Sequence, residues 1–257
     1  MENNHSKIFI SIVSHGHDDM IRESGILEQV KNYKDVFLVV KNNKIHSSLN
    51  ENDSECIYFI NEHFNRGFGD NNNIVFNFCK NHLNMKEEDY FIVLNPDVLI
   101  DLNDVIKLCD SMRQNDEKAA TINLYKDDLK TVYDNSIRHF PKFKDFFLSY
   151  LGFKNKTIIE KSAINNKCIV DWAAGSFLAF RADHYARLGG FDESFFMYCE
   201  DIDICFRSKA EGVALVYYPT ISAVHKAQHA NRSLFSKHFV WHVKSIIKYC
   251  AKTKAFF

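Results

Sequence analysis

Short apolar runs that end in polar residues recur through the first part of the chain. Four of them have the β-branched and aromatic composition of strands, at residues 7–16, 36–43, 56–63 and 90–97. Polar segments of helical length lie between them. This alternation predicts βαβ units and an α/β fold with a mostly parallel central sheet, in which ligands bind at the carboxyl ends of the strands.

The predicted strand ends carry polar side chains. These are Ser14, His15, Asn42, Asn43, Asn95 and Asp97. After Tyr125 the pattern loosens, and strand signals return at residues 168–181. Because the chain shows no internal repeat, no low-complexity tract and no linker rich in Gly, Pro or Ser, we predict a single domain.

Asp97 follows Pro96 in the sequence LNPD, where the fourth apolar run ends. Proline cannot donate to a sheet ladder, so this carboxylate is expected to emerge where the sheet opens. A carboxylate there can hold a hard divalent cation, which in turn neutralises a diphosphate. The alternative is that Asn-Pro-Asp is only a turn, since all three residues favour turns.

Three acids, Glu200, Asp201 and Asp203, lie within the apolar run FFMYCEDIDICFR. A buried carboxylate without a partner is costly, so these acids need cationic partners or a chemical role. A helix that begins near Glu200 places Glu200, Asp203 and Arg207 on one face and turns Asp201 elsewhere, so one acid can be paired while another stays free. Alternatively, all three are helix N-terminal charges favoured by the macrodipole.

The composition is that of an ordinary globular protein, with 257 residues, 46% hydrophobic and 25% charged. The seven cysteines are irregularly spaced, and the N-terminus carries no secretory signal. These features predict a cytoplasmic protein with reduced thiols. No apolar run reaches the roughly 18 residues that a membrane-spanning helix requires, so we expect no such helix.

The C-terminal segment 226–257 carries seven Lys and Arg and no acid, which leaves a formal charge of −8 on the first 225 residues of a chain whose net charge is −1. Such a segment can face nucleic acid, a phosphate-rich ligand or an anionic membrane. Lys237, Lys244 and Lys248 cluster on one helical face beside Trp241. The opposite face is apolar, at Phe235, Phe239, Val243, Ile246 and Cys250. We predict an amphipathic basic helix whose apolar face packs on the domain.

Seven segments, read in order, carry a resemblance to a known family. They are IVSHG, VVKNN, NRGFGDNNN, LNPD, DWAAGSFLAFR, GGFDESFFMYCEDIDICFR and AVHKAQHANRS. This set, which extends from about Ile8 to about Tyr249, resembles the inverting family 2 glycosyltransferases with a GT-A fold. It looks most like the bacterial rhamnosyltransferases that act on lipid-linked acceptors in O-antigen assembly. The ordered set is specific for the family and less specific for rhamnose.

The resemblance implies one Rossmann-like GT-A domain at residues 1–225, with helices on both faces of the sheet. Its nucleotide-binding half is expected at about 1–125 and its acceptor half at about 126–225, and residues 226–257 form the basic helical segment. The implied reaction is inverting transfer of L-rhamnose from dTDP-β-L-rhamnose to a sugar, expected to be GlcNAc, on a polyprenyl diphosphate. Alternatives are another donor, such as a galactofuranose, glucose or galactose nucleotide, or a catalytically silent module that binds a nucleotide sugar or a glycan.

The resemblance also assigns the central chemistry. Asp201 is implied to be the general base that removes a proton from the acceptor hydroxyl. Asp97 at the DXD-like position and His225 are implied to bind Mg²⁺ or Mn²⁺ on the donor diphosphate, although the pattern here, Asn-Pro-Asp, has one carboxylate. The alternative for His225 is a core histidine with satisfied hydrogen bonds.

Further positions follow from the same resemblance. The donor side is implied to comprise Ser14, His15, Asn42, Gly69, Asn73, Asn95, Asp97 and Arg232. The acceptor side is implied to comprise Asp171, Trp172, Gly175 and Glu200. The family often has an Asp where this sequence has Asn42, and core packing is the alternative for Trp172.

The expected partners are a nucleotide-sugar donor, a polyprenyl-diphosphate-linked acceptor and, through the basic helix with Trp241, the anionic inner face of the cytoplasmic membrane. No nucleic-acid partner is expected. The alternative for the lysine face is a solvated helix surface.

Overall fold

A computed structural model describes residues 6–45, 47–49, 54–226 and 237–255. Its centre is a nine-stranded sheet, accompanied by a two-stranded ribbon that the seventh and ninth strands form. The strands are β1 (Ile8–Ser14), β2 (Val36–Asn42), β3 (Ile57–Ile60), β4 (Tyr90–Leu94), β5 (Val98–Leu99), β6 (Ala119–Tyr125), β7 (Ile137–Arg138), β8 (Cys168–Val170), β9 (Trp172–Ala173), β10 (Phe177–Arg181) and β11 (Leu215–His225).

Eight helices accompany these strands in the described part of the chain. They are α1 (Asp18–Glu23), α2 (Ile26–Val30), α3 (Phe68–His82), α4 (Leu102–Gln114), α5 (Phe143–Tyr150), α6 (Ala182–Arg187), α7 (Glu200–Ala210) and α8 (Lys237–Thr253). The four strands and the helix near Glu200 that the sequence pattern predicts are therefore confirmed.

The sheet has the order β3-β2-β1-β4-β10-β6-β11-β5, with β8 also paired to β11. Strands β1, β2, β3, β4, β6 and β11 run in one direction, and β10, β5 and β8 run against them. The predicted mostly parallel sheet is confirmed. The sequence pattern did not reveal that an antiparallel strand, β10, separates β4 from β6.

Alternation along the strands builds a core on each face of the sheet. In β1, Ile10 and Ile12 join the cluster under α1, α2 and α4, whereas Phe9 joins the cluster under α3, α6, α7 and α8. Successive strand residues point to opposite faces, so a strand that is apolar throughout must be covered on both sides. This is the predicted arrangement of helices on both faces.

The C-terminal helix α8 packs on the domain as predicted. Ser245, Ile246, Tyr249 and Cys250 are buried, whereas the predicted Phe235 lies outside the described residues. All seven cysteines are free thiols. Among the described residues, no helix combines the length and the hydropathy needed to cross a membrane.

Candidate active site

The carboxyl ends of β1 and β2 meet at one edge of the sheet, where Ser14 lies opposite Asn42 in the strand register. Asn42 Nδ2 donates to Asn61 Oδ1 at 2.6 Å, while the buried Asn42 Oδ1 has no hydrogen-bond partner among the described residues. An unpaired buried acceptor at a strand end is available to a ligand donor. Ser14 Oγ accepts from the backbone N–H of His17 at 3.0 Å and so shapes the turn after β1.

Two groups beside this edge have strongly shifted pKa values. Burial, reinforced by His17, lowers the pKa of His15 to about 4, so its imidazole is neutral at physiological pH. Burial also lowers the pKa of Lys41 to about 8. Lys41 Nζ donates to the carbonyl of Asn42 at 2.8 Å and lies near that of His63, so it holds the β2 end against the loop after β3.

Asp97 lies between β4 and β5, and β5 pairs with the end of β11. This pairing brings His225 Nε2 to 3.4 Å from Asp97 Oδ1, and the N–H of Lys226 donates to the carbonyl of Asp97 at 2.9 Å. Apart from the contact with His225, the buried Asp97 Oδ1 has no hydrogen-bond partner in the described ranges. Asn95, just before, is fixed by its N–H, which donates to the carbonyl of Ser176 at 3.0 Å.

A second carboxylate, Asp134, lies on the other side of the His225 ring, with Asp134 Oδ2 2.5 Å from Nδ1. Burial alone would lower the pKa of His225, but the hydrogen bonds to Asp134 and Asp97 raise it to about 9. With Nδ1 held by Asp134, Nε2 is directed at Asp97. This is the carboxylate–histidine arrangement that orients an imidazole for a metal.

The donor set around Asp97 therefore fits a hard divalent cation in part. The Asp97 carboxylate supplies one anionic ligand, and His225 Nε2 would supply a second only after the ring loses the proton that Asp97 and Asp134 stabilise. Diphosphate oxygens and water would have to complete the coordination. The described residues contain no group of three or more His, Cys, Asp or Glu that could hold a metal without such help.

Asp201 occupies the first turn of α7 and is held by two backbone donors. Gly175 N–H donates to Asp201 Oδ2 at 3.2 Å, and Ile202 N–H donates to Asp201 Oδ1 at 2.9 Å. Burial raises the pKa of this carboxyl, and the two N–H groups together with the positive charge of Arg138 oppose that rise. The site thus holds a carboxylate whose affinity for a proton is above that of an ordinary Asp, which suits a general base.

The backbone immediately before α7 is strained. Tyr198 and Cys199 both have left-handed conformations, with φ of 73° and 66°. Such conformations are unfavourable for residues with a Cβ and persist where the surroundings impose them, often at active sites. They set the direction in which α7 begins and thereby the position of Asp201.

Close packing around Gly175 fixes the backbone N–H that donates to Asp201. A Cβ on Gly175 would lie 2.9 Å from the Phe68 ring and 3.7 Å from Asp201 Cβ. A Cβ on Gly67 would lie 2.4 Å from the carbonyl oxygen of Phe196, in the loop before α7. Only glycine allows α3, the 174–176 loop and α7 to converge in this way.

The other two acids of this segment have different environments. Asp203 is fully buried and lies 2.7 Å from Arg207 Nε and 2.6 Å from Lys252 Nζ. The expectation that one acid of this segment can be paired is confirmed, and the paired acid is Asp203 with Arg207. Glu200 is 6% exposed, its Oε2 lacks a partner among the described residues, and burial with the neighbouring Asp201 raises its pKa well above the usual value. Burial and the neighbouring Asp201 therefore favour the neutral form of Glu200.

We expect Asp203→Asn to reduce the free energy of unfolding by about 3 kcal/mol, because removing one member of a buried ion pair leaves Arg207 without its carboxylate partner and Lys252 with Asp192 alone. Urea denaturation would measure the loss. The exposed pair of Arg22 with Asp19 supplies the control, since Asp19→Asn should change stability by less than about 1 kcal/mol. Equal stability of the two variants would contradict a structural role for Asp203.

The predicted acceptor residues lie around β9. Trp172 is 7% exposed, donates from Nε1 to the carbonyl of His139 at 2.9 Å, and has the Arg138 guanidinium 5.5 Å from its ring centroid. Asp171 is paired with Lys209 at 2.7 Å and with His139 at 3.1 Å. Desolvation would raise the pKa of Asp171, but the hydrogen bonds from Lys209 and His139 lower it.

Asn73 and Gly69, predicted on the donor side, lie on the buried face of α3. Asn73 Nδ2 donates to the carbonyl of Phe191 and to Glu193, and its Oδ1 accepts from Tyr185 and from the N–H of Phe191. These bonds occupy the Asn73 amide in fixing the 190–193 loop. A Cβ on Gly69 would meet Phe191 at 2.6 Å. Nucleotide contacts by either residue stay a prediction, and Arg232 lies outside the described residues.

Two site residues were missed by the sequence analysis. Asp134 lies in a polar segment without strand or helix periodicity, and only its pairing with His225 identifies it. Arg138 lies in a segment of the sequence that has neither strand nor helix periodicity. Pairing of β7 with β9 places it beside Trp172, and its positive charge acts on Asp201. Neither residue had a local spacing signal.

No protein-family profile matches the chain. The chain is 37% identical to the rhamnosyltransferase WbbL of Escherichia coli K12 over 260 residues, which covers 96% of this chain and 94% of that protein. It is also 37% identical over 76 residues, or 30% of this chain and 25% of the relative, to N-acetylglucosaminyl-diphospho-decaprenol L-rhamnosyltransferase of Mycobacterium tuberculosis.

Solved structures share the fold at low sequence identity. GalNAc-T7, crystallised with UDP, GalNAc and Mn²⁺, matches with a TM-score of 0.61 and 12% identity over 97% of this chain and 48% of that one. The mannosyltransferase PcManGT of Pyrobaculum calidifontis, in complex with GDP-Man and Mn²⁺, matches with a TM-score of 0.57 and 11% identity over 98% and 65%. At such identities the likeness establishes the GT-A fold alone.

Proposed function

The chain belongs to the rhamnosyltransferases of glycosyltransferase family 2, and from this premise we propose that it transfers L-rhamnose from dTDP-β-L-rhamnose to GlcNAc on a polyprenyl diphosphate. The observation that carries the proposal is the placement of Asp201. A carboxylate with a raised pKa begins α7 beside the Gly175 backbone, in a chain that is 37% identical to a rhamnosyltransferase over 96% of its length.

In the proposed reaction, Asp201 removes the proton from the acceptor hydroxyl as that oxygen attacks C1 of the donor sugar, opposite the departing nucleotide diphosphate. One base suffices for inversion at C1. The N–H groups of Gly175 and Ile202 hold both carboxylate oxygens, so the base keeps one orientation. The pKa of Glu200 is raised well above its usual value, which favours a neutral Glu200 beside an anionic Asp201 and a hydrogen bond from Glu200 to the acceptor.

Asp97 and His225 would hold the divalent cation, Mg²⁺ or Mn²⁺, with Asp134 fixing the imidazole. When bound, such a cation supplies positive charge that stabilises the leaving diphosphate. Ser14, His15, Asn42 and Asn95 are proposed to line the nucleotide at the strand ends. The unpaired Oδ1 of Asn42 supports this assignment, since a nucleotide base presents N–H donors.

Trp172 with Arg138, and Asp171 with Gly175, are proposed to form the acceptor side. An aromatic ring packs well against the apolar face of a sugar ring, and Arg138 adds a permanent positive charge for an acceptor phosphate. Because Trp172 is 7% exposed, its contribution to binding would come from the ring edge and from holding Arg138 in place.

A screen of purified protein with nucleotide sugars and a synthetic GlcNAc-diphosphate-lipid acceptor tests the function. We expect turnover with dTDP-β-L-rhamnose above that with galactofuranose, glucose or galactose nucleotides. Higher turnover with another nucleotide sugar would show that dTDP-β-L-rhamnose is not the donor. Binding of a nucleotide sugar without transfer to any acceptor would favour the silent module.

We also propose that the protein works at the inner face of the cytoplasmic membrane, because a polyprenyl-linked acceptor stays in the bilayer. Lys237 and Lys244 of α8 are exposed, whereas Lys248 donates to the carbonyl of Ser194 and Lys252 is paired with Asp192 and Asp203. Trp241 packs against Phe196 with ring centroids 4.7 Å apart. Lys248 and Lys252 are thus engaged with the domain, and fewer α8 lysines are available to lipid head groups than the sequence pattern indicates.

Replacing Lys237 and Lys244 by Glu should weaken sedimentation with anionic vesicles at low salt, since each basic residue near such a surface contributes about 1 kcal/mol. The matched control is the double substitution of Lys80 and Lys86 by Glu, which changes the net charge equally, on the last turn of α3 and in the segment that follows it. Equal weakening in both variants would show a general charge effect and contradict a role for the α8 face.

A further inference from the structure

Helix α5 and the turn that follows it carry an unusual concentration of exposed apolar side chains. Six of the 13 large apolar side chains that are exposed in the described part of the chain lie at residues 143–153. Phe147, Leu148, Leu151 and Phe153 are 57%, 37%, 58% and 62% exposed. We call these four residues the α5 surface. Apolar side chains clustered on a surface, unlike scattered ones, indicate an interaction site.

The packing of α5 on α8 determines which of its side chains face outward. Phe146 is half-buried against His242 and Tyr249. The Tyr150 ring contacts Phe239, and the Tyr150 hydroxyl shares a hydrogen bond with His242 Nδ1 at 2.7 Å. Because Phe146 and Tyr150 are four residues apart, they share the inner face of the helix. Phe147, Leu148 and Leu151 therefore lie on the outer faces, and no residue of α5 is buried.

Lysines surround this apolar surface. Lys142, Lys144, Lys154 and Lys156 are all exposed. The single acid between residues 141 and 157 is Asp145, whose Oδ2 accepts from the N–H of Lys142 at 2.8 Å and so caps the helix. An apolar surface within a basic rim is complementary to a bilayer with anionic head groups.

We propose that the α5 surface enters the head-group region of an anionic bilayer, with Phe147, Leu151 and Phe153 at the acyl boundary and the four lysines on lipid phosphates. This inference rests on the proposed function, since it names the surface by which the protein reaches a lipid-linked acceptor. A second copy of the chain fits the surface less well, because a symmetric contact through α5 would bring two basic rims together.

The position of α5 agrees with this assignment. The helix follows β7 after a short segment, and β7 places Arg138 over Trp172 on the proposed acceptor side. In that segment, Phe140 packs against Phe206 of α7, the helix that begins with Glu200 and Asp201. A bilayer bound at α5 thus adjoins the acceptor half, so the lipid chain can remain in the membrane while its sugar reaches the base.

The test uses the full chain with three serines in place of Phe147, Leu151 and Phe153. These side chains are exposed, so folding should be retained. We expect at least tenfold weaker sedimentation with vesicles of phosphatidylglycerol and phosphatidylcholine in equal parts. Transfer to a long-chain polyprenyl acceptor in those vesicles should fall in parallel, while transfer to a water-soluble short-chain acceptor should be unchanged.

The matched control replaces Leu129 and Val132, two exposed apolar residues outside α5, by serine, and vesicle binding should then stay at the parent level. A second measurement reports insertion directly. The emission of a Phe147→Trp variant should shift to the blue when the anionic vesicles are added, and that of a Leu129→Trp variant should not shift.

Unchanged vesicle binding of the triple serine variant, or an unshifted Phe147→Trp emission, would overturn the inference. So would a dimer of the parent chain that the three serines dissociate, since the α5 surface would then join two copies. Vesicle binding needs no donor or acceptor, so a protein that binds through α5 but transfers no rhamnose would refute the proposed function and leave this inference standing.

Discussion

Asp201→Asn should fold normally, bind the donor and lose transfer by about 10²- to 10⁴-fold, the usual contribution of a general base. The amide keeps the shape of the carboxylate but has one acceptor oxygen in place of two, so it keeps the hydrogen bond from Gly175 N–H or from Ile202 N–H and loses the other. Unchanged donor binding would show that the loss of transfer comes from proton abstraction and not from this local change. Steady-state transfer rates and calorimetric donor binding measure the two properties separately. Near-normal turnover in this variant would remove Asp201 from the chemistry.

Glu200→Gln provides the matched comparison. Burial and the neighbouring Asp201 raise the pKa of Glu200 and so favour its neutral form. An amide resembles a neutral carboxylic acid, so this variant should retain turnover within about tenfold. The pH profile separates the two residues further. A base with a raised pKa is lost as the pH falls through that value, so the acidic limb of kcat/KM should lie above the pKa of an ordinary Asp.

Asp97→Ala should abolish metal-dependent donor binding and reduce transfer about as much as chelation of the wild-type protein. The reason is that Asp97 supplies the single carboxylate at the proposed cation position, and its Oδ1 has no compensating protein donor apart from His225 in the described residues. Titration with Mn²⁺, followed by calorimetry with and without donor nucleotide, would measure the effect. Full activity in excess EDTA would exclude a metal.

Asp110→Ala is the control for this prediction, because Asp110 forms an exposed ion pair with Arg113 on α4, and its loss should leave donor binding unchanged. Asp134→Asn adds an intermediate case. It keeps Asp97 and His225 but removes the charge that orients the imidazole, so metal affinity should fall roughly 10- to 100-fold.

Local sequence patterns determined much of this fold. β1, β2, β3 and β4 are continuous apolar runs ended by polar residues, and buried parallel strands have that composition because helices cover both faces. The Asp203–Arg207 pair could be predicted for a similar reason. Its members lie four residues apart on one helix, so helix geometry alone brings them together.

Contacts between segments that are distant in the chain leave no pattern in the sequence that would predict them. The Asp134–His225 hydrogen bond joins residues 91 positions apart, and sequence spacing does not indicate such a pair. The role of α5 was hidden for another reason. Its aromatic residues at Phe146 and Phe147 look alike in the sequence, yet one packs on α8 and the other is exposed, and this distinction depends on where α8 lies.

The antiparallel strand β10 also governs when the sheet can be completed during synthesis. It lies between β4 and β6, so neither strand can form its hydrogen bonds to β10 until Phe177–Arg181 has left the ribosome. Until then β4 has an unpaired edge, which is a site for aggregation. Ordering of the Asn95 turn must also wait, since Asn95 N–H donates to the carbonyl of Ser176 just before β10. We therefore expect the turn at Asn95 and Asp97 to form only after most of the chain has been translated.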